Sequence, residues 1–219
     1  MNRIDLYANA HKGLRALLFE AAAQAARTDP GDEHEVNSLA SRVRELVAWL
    51  DQHAEHEDAV VMPVLAAIAP DIHAALRSDH ARVDGLQREV ESWVARLVGT
   101  AGPARRSALH RLHERLLGLT AEHLQHMAAE ESDANRMLWA HRTDAQLLEL
   151  QASIRASTPP ARAAAWLAVT LPALSLPERA ALLAPLKGAV PQPVLDELMV
   201  PVRAALGAEW GRTVAAAGW

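Results

Sequence analysis

Two stretches, LVAWLDQHAEHE at 46–57 and LTAEHLQHMAAE at 119–130, decide how this chain folds. Around the first, Leu39, Val43, Leu46, Leu50, His53, Glu57, Val60 and Val64 recur at three- and four-residue intervals. That period predicts one face of a helix over about 36–69. Around the second, Leu109, Leu112, Leu116, Leu119, His123, His126 and Glu130 mark the same kind of face on a helix over about 104–142. Each face turns from apolar to polar without losing its period, and each does so as His-x-x-x-Glu. A carboxylate buried there unpaired would cost several kcal/mol. Both motifs therefore call for a positively charged partner.

Two further helices flank these. Residues 4–27 place Leu6, Tyr7, Ala10, Leu14, Leu17 and Leu18 at helical spacing and carry His11. The breaker cluster TDPGDEHE (28–35) ends that helix, and Pro63 is expected to kink the next. After APD (69–71), where Asp71 is a candidate N-cap, a third helix covers about 72–98, carries His80 and stops at GTAGP (99–103). Four striped helices with short connections predict an all-α fold, an antiparallel up-and-down four-helix bundle over 1–142. Beyond it the character changes. All eleven histidines precede residue 142, whereas eight of the twelve prolines fall in 159–201. Pieces such as ARAAAWLAVTL and PERAALLAPL predict a C-terminal helical extension of a few short helices over 143–219, too apolar for a disordered tail.

Composition narrows the function. Half of the 219 residues are hydrophobic and only 4% are aromatic, which favours helices over strands. A net charge of −5 offers no basic footprint, so nucleic acid is not an expected partner. With no cysteine there is no disulfide, thiolate zinc site or cysteine-held iron–sulfur cluster. No apolar run reaches the ~18–20 residues of a membrane span, and the N-terminus lacks a signal-peptide core. A cytoplasmic protein without a membrane partner is expected.

The histidines sit at matching heights. His11 and His80 lie about 16 and 18 residues before the ends of their helices, and His53 and His126 about 17 and 22 after the starts of theirs. At ~1.5 Å per residue these levels agree to within roughly two turns. Residues four apart on a helix differ by about 40° in azimuth and ~6 Å in height. The imidazole of His-x-x-x-Glu can therefore bind one ion while the carboxylate, one turn along, bridges two. Mixed nitrogen and oxygen ligation with open positions suits non-haem iron better than a closed zinc site.

The order His11, His53-x-x-x-Glu57, His80, His126-x-x-x-Glu130 resembles the hemerythrin-like HHE cation-binding domain, over roughly residues 4–142. The resemblance implies a bundle enclosing two iron ions joined by an oxo or hydroxo bridge, with dioxygen or a related small molecule as ligand. His11 and His53 would then serve one iron, His80 and His126 the other, and Glu57 and Glu130 would bridge. Oxygen-carrying hemerythrins have five histidines, two of them spaced His-x-x-x-His on helix three. Here Asp84 stands four after His80 and Leu76 four before it. That departure favours Asp84, a tyrosine or water as the replacement ligand. Tyr7, one turn before His11, is a candidate ligand or hydrogen-bond donor, or else a core residue.

The other histidines rank lower. His110 and Glu114 repeat the spacing but lie about 160° from His126, so they should face solvent, as should His113. His123, about 60° from His126, is a candidate to line the pocket, and His56 a candidate beside the ligands. His73 is ~10 Å along the axis from His80. His34 and His141 should be solvated. Glu131 is the alternative to Glu130 as a bridge, and Asp58 a weaker one to Glu57. The leading expectation is a di-iron protein that binds or senses dioxygen, peroxide or nitric oxide. An oxidoreductase acting on peroxide or nitric oxide would use the same site. A regulatory protein whose extension contacts a second copy or a partner chain is the reading from a different class.

Overall fold

The computed structural model describes residues 3–189 and 191–219. Helices make up the structure, and no strand occurs among the described residues. Helix α1 (Ala8–Arg27) is entered through Asp5, whose carboxylate accepts from the backbone of Tyr7 and Ala8 at 2.8 and 2.9 Å. Asp32 caps α2 (Glu33–His56), accepting from His34 and Glu35, so this helix starts three residues before its apolar stripe. After α3 (Met62–Ile68), Ala69 alone separates it from α4 (Pro70–Gly99), which Pro70 opens at its first position. Asp71 thus lies in the first turn of α4 and is not its cap. Helices α5 (Gly102–Ala129) and α6 (Asn135–His141) complete this part.

Between α2 and α3, and again between α5 and α6, the rod continues through one π turn. The first, π1, is Glu57–Val61 and the second, π2, is Glu130–Ala134. Each begins at the glutamate of a His-x-x-x-Glu. A π turn takes one extra residue, so the buried stripe beyond it slips by one position. The burial records that slip: Val61, Met62 and Leu65 are buried where an unbroken α-helix would bury Val60 and Val64. On the other rod, Ala134, Asn135 and Leu138 are buried. The kink expected at Pro63 is therefore a π turn ahead of it, and π2 forms with no proline at all.

α1 packs against α2 and α5, α2 against α4, and α4 along most of α5. Arg82 donates to Glu122 at 2.6 Å, and His80 meets His126, so α4 and α5 run in opposite directions. Two apolar layers fill the interior. One, including Leu14, Leu39, Leu46, Val94, Leu112 and Leu116, lies toward the α1–α2 turn. The other gathers Tyr7, Val61, Met62, Leu65, Leu76 and Leu138 at the opposite end. A layer of buried histidine and glutamate separates them.

Beyond residue 142 the described residues form six α-helices, where a few short ones are expected. α7 (Asp144–Ser157) opens with a Thr143–Gln146 capping box and adds Leu147 to the second apolar layer. α8 (Pro160–Thr170) lies on α1, while α9 (Leu176–Leu183), α10 (Gln192–Leu198), α11 (Val200–Leu206) and α12 (Trp210–Ala216) share a third small core with Leu171 and Leu174. Lys12 is paired with Glu178, and Arg162 lies over the Trp49 ring at 3.8 Å. α8 approaches α1 closely at Gly13, where an added Cβ would sit 3.1 Å from the Thr170 backbone. Gly13→Val should therefore lift α8 at a cost of about 1–3 kcal/mol. Hydrogen exchange over 160–170 should speed up while Leu112–Leu119 stays protected; unchanged exchange in α8 would contradict this contact.

Candidate metal centre

The polar layer is assembled from four helices at one height. His11 Nε2 and His53 Nε2 approach to 3.0 Å, with the rings edge to face. On the other side, His80 and His126 form a second such pair, 4.8 Å between centroids. The two glutamates lie between the pairs. Glu57 places Oε1 2.9 Å from His53 Nε2 and Oε2 3.6 Å from His80 Nε2. Glu130 Oε2 is 3.3 Å from His126 Nε2 and 3.4 Å from His11 Nε2.

Two overlapping ligand groups result, His11–His53–Glu57–Glu130 and Glu57–His80–His126–Glu130, each with one ligand atom per residue within 4.8 Å of the others. Both glutamates belong to both groups. All six residues singled out by spacing are thus brought together.

Hydrogen bonding does not satisfy this layer from within. Both Glu57 oxygens, Glu130 Oε2, His80 Nε2 and His126 Nδ1 are buried without a hydrogen-bond partner among the described residues. His53 Nε2 lies 2.9 Å from Glu57 Oε1, yet the contact lacks hydrogen-bond geometry. Orphaned acceptors of this kind cost several kcal/mol unless a cation meets them. Facing lone pairs on imidazole nitrogens and carboxylate oxygens form a donor set that fits divalent or trivalent iron.

Outer groups hold the imidazoles in place. His11 Nδ1 donates to Glu131 at 3.0 Å, and Arg15 grips the same carboxylate with two bonds of 2.7 and 3.0 Å. His80 Nδ1 donates to Asp58 at 3.2 Å. Such partners fix the tautomer that leaves Nε2 free to ligate. Each of the two shared glutamates is followed in sequence by an acid, Glu57–Asp58 and Glu130–Glu131, and the second acid meets an imidazole of another helix. Glu131 thus contacts His11 from outside the cluster and belongs to neither group of four. The repeated pair of acids is the sequence signal for this role.

Charge follows the geometry. Burial raises the Glu57 carboxyl, but His53, His11 and His80 around it prevail and hold it well below the usual range. Burial and the neighbouring Glu57 push Glu130 well up. Burial lowers His126 to about 4, against the pull of Glu57. Burial also opposes protonation of His11 and His80, yet their carboxylate partners outweigh it and raise both. Metal uptake must therefore release protons.

Tyr7 is buried with its ring 5.4 Å from His11, and burial together with Glu130 and Glu57 raises its hydroxyl well above the ordinary value. It packs in the second apolar layer, against the His11 side of this polar one. His123 is buried beside His126. Asp84 is a correction: it is exposed and lines an outer groove with Asp51, Asp58 and Glu91. The buried stripe of α4 is Leu76, His80, Val83 and Gln87, and no π turn brings Asp84 onto it.

His110 is 70% exposed beside Glu114, and His34 and His141 are exposed, whereas His73 and His113 are half-buried. His56 Nε2 meets Thr158 Oγ1 at 3.3 Å. Trp166 of α8, an aromatic of the extension that could cover the bundle, stacks on His53 with 6.4 Å between ring centroids.

Glu131 gives a pH test. Burial raises its carboxyl, but His11 and Arg15 outweigh that and hold it at about 2, against 4.5 for a free side chain. A depressed folded value means the stabilisation is complete above about 4.5 and fades as pH falls toward 2. Metal-free Glu131→Gln should be less stable than the parent by about 1–2 kcal/mol at neutral pH, with the gap shrinking by pH 3 in urea unfolding. An equal gap at both pH values would refute the pairing.

No helix among the described residues is long and apolar enough to cross a membrane. No curated protein and no solved structure gives a significant match to the chain. A family model does match: the hemerythrin HHE cation-binding domain, over residues 2–138. With that match covering more than half its length and a cluster of histidine and glutamate at the core, the chain belongs to the hemerythrin HHE cation-binding domain family.

Proposed function

We propose that this protein is a non-haem di-iron protein that binds or senses dioxygen or a related small molecule such as peroxide or nitric oxide. In this reading residues 1–142 form an antiparallel up-and-down bundle around the centre. His11 and His53 hold one iron, His80 and His126 hold the other, and Glu57 and Glu130 bridge them. One observation carries it: two ligand groups of four that share the same two buried glutamates. A single-ion site would have no use for both oxygens of Glu57 directed to different imidazole pairs.

Bound iron supplies ligand exchange and one-electron chemistry. The chain's own groups do the rest. Glu131 and Asp58 keep two imidazoles aimed inward, and the apolar layers on either side exclude water and strengthen every charge interaction within. Tyr7, packed against His11 from the second apolar layer, offers a neutral hydroxyl that can donate a hydrogen bond to a small bound ligand.

A second reading, in which residues 143–219 report the state of the centre, draws on Trp166. Its ring covers His53, whose side chain is 14% exposed.

Loaded anaerobically with Fe(II), the protein should carry about two irons per chain and develop charge-transfer absorption in air. Glu57→Gln and Glu130→Gln should each lose affinity for both ions, His80→Ala mainly for one, and His110→Ala for neither. Elemental analysis decides. A chain that stays iron-free after loading would end the proposal.

A further inference from the structure

Of the four imidazoles in the two ligand groups, His53 is the least enclosed. Its side chain is 14% exposed, against 0% for His11, 8% for His80 and 4% for His126. Trp166 of α8 lies over that side, its ring within 15° of parallel to the imidazole. Trp166 also leans on Trp49, with 5.0 Å between centroids. Arg162, one turn earlier on α8, reaches the same Trp49 ring and donates to Gln52 of α2. Since α8 also packs on α1, it sits across the groove between α1 and α2. The family match ends at residue 138, so this cover comes from chain that the family model does not describe. The other approach to the layer, along the groove between α2 and α4, ends at Asp58, whose carboxylate is bonded to His80 Nδ1.

The cover is lightly held. Only Ala164 and Thr170 of α8 are buried, and the helix is rich in alanine. Thr170 Oγ1 lies against α1 at Gly13 and is buried without a hydrogen-bond partner among the described residues. A hydroxyl in that state has given up water for nothing, so water regained on opening offsets part of the packing lost. The preceding helix is no firmer an anchor, because Leu147 is the one residue of α7 that is buried. Segments with so few buried apolar contacts open locally while the fold around them stays closed. We propose that α8 is a lid on the bundle and Trp166 its gate, so that the centre exchanges with solvent past His53 when α8 lifts. What passes the gate rests on the di-iron reading; the lid itself does not.

The test uses the full chain in two forms. Metal-free parent, Trp166→Ala, Trp166→Phe and Arg162→Ala are treated with diethyl pyrocarbonate at neutral pH, and the modified histidines are mapped by mass spectrometry. His53 should react at least about fivefold faster in Trp166→Ala and Arg162→Ala than in the parent, and near the parent rate in Trp166→Phe. Combining the two alanine variants should add little to Trp166→Ala alone, since both act through one lid. His110, 70% exposed, should react alike in every chain. Parent-like labelling of His53 in Arg162→Ala would overturn the lid, because Trp166 would then be a fixed cover. So would His80 and His126 speeding up as much as His53 in Arg162→Ala, the mark of a bundle loosened throughout. The same chains are then loaded anaerobically with Fe(II). Fewer than two irons in the parent would defeat the di-iron reading, while the labelling still decides the lid. With two irons bound, loss to EDTA should be at least about tenfold faster in Trp166→Ala and Arg162→Ala. Loss at the parent rate despite faster labelling would overturn the gate, since the ions would then leave by another route.

Discussion

The organising constraint of this molecule is the burial of two carboxylates, Glu57 and Glu130, at mid-height in a helical protein. Neither finds a hydrogen-bond donor adequate to its charge, and both are ringed by imidazoles. Such an arrangement is poor as a salt bridge and good as a ligand cage. The apolar layers above and below gain stability by excluding water, and that exclusion is what makes the middle layer costly without a cation. Packing and chemistry thus pull on the same six side chains. The fold can hold them because four helices each contribute part of the set at one level.

How helices keep such a layer in register is visible in the π turns. A straight α-helix drifts in azimuth, so a stripe that is apolar below the site need not stay apolar above it. Widening the helix by one residue immediately at each glutamate resets the stripe. Val61, Met62 and Leu65 on one rod, and Ala134, Asn135 and Leu138 on the other, reach the second core only because of that reset. The two adjacent acids at each turn, about 100° apart as neighbours on a helix are, point in different directions. The first faces inward, and the second swings to the imidazole of a neighbouring helix.

Most of this was legible in sequence, and what escaped it escaped for identifiable reasons. His11, His53, Glu57, His80, His126 and Glu130 could be paired because imidazole spacing and helix rise survive errors of a turn in the boundaries. The all-helical class followed from leucine periodicity. The π turns were invisible, since counting at a fixed 100° per residue assumes that no residue is inserted; Val60 and Val64 were misplaced by that assumption alone. Asp84 failed for a related reason: four residues carry a side chain about 40° round the helix. On α4, which has no wide turn to correct it, that is enough to leave the core. Trp166 stands out in sequence as an aromatic of the extension that could cover the bundle or meet a partner, but no period relates it to His53 across more than a hundred positions.

One feature ties the halves of the protein together. Asp58, on the rod that begins with α2, steadies His80 of α4; Glu131, on the rod that begins with α5, steadies His11 of α1. The supports are crossed, so each helical hairpin carries the brace for a ligand belonging to the other. Neither hairpin on its own presents a finished half-site, and separating them disarms both at once. Cation retention is therefore a cooperative property of the closed assembly, and an excursion that parts the hairpins would open the whole ligand cluster at once.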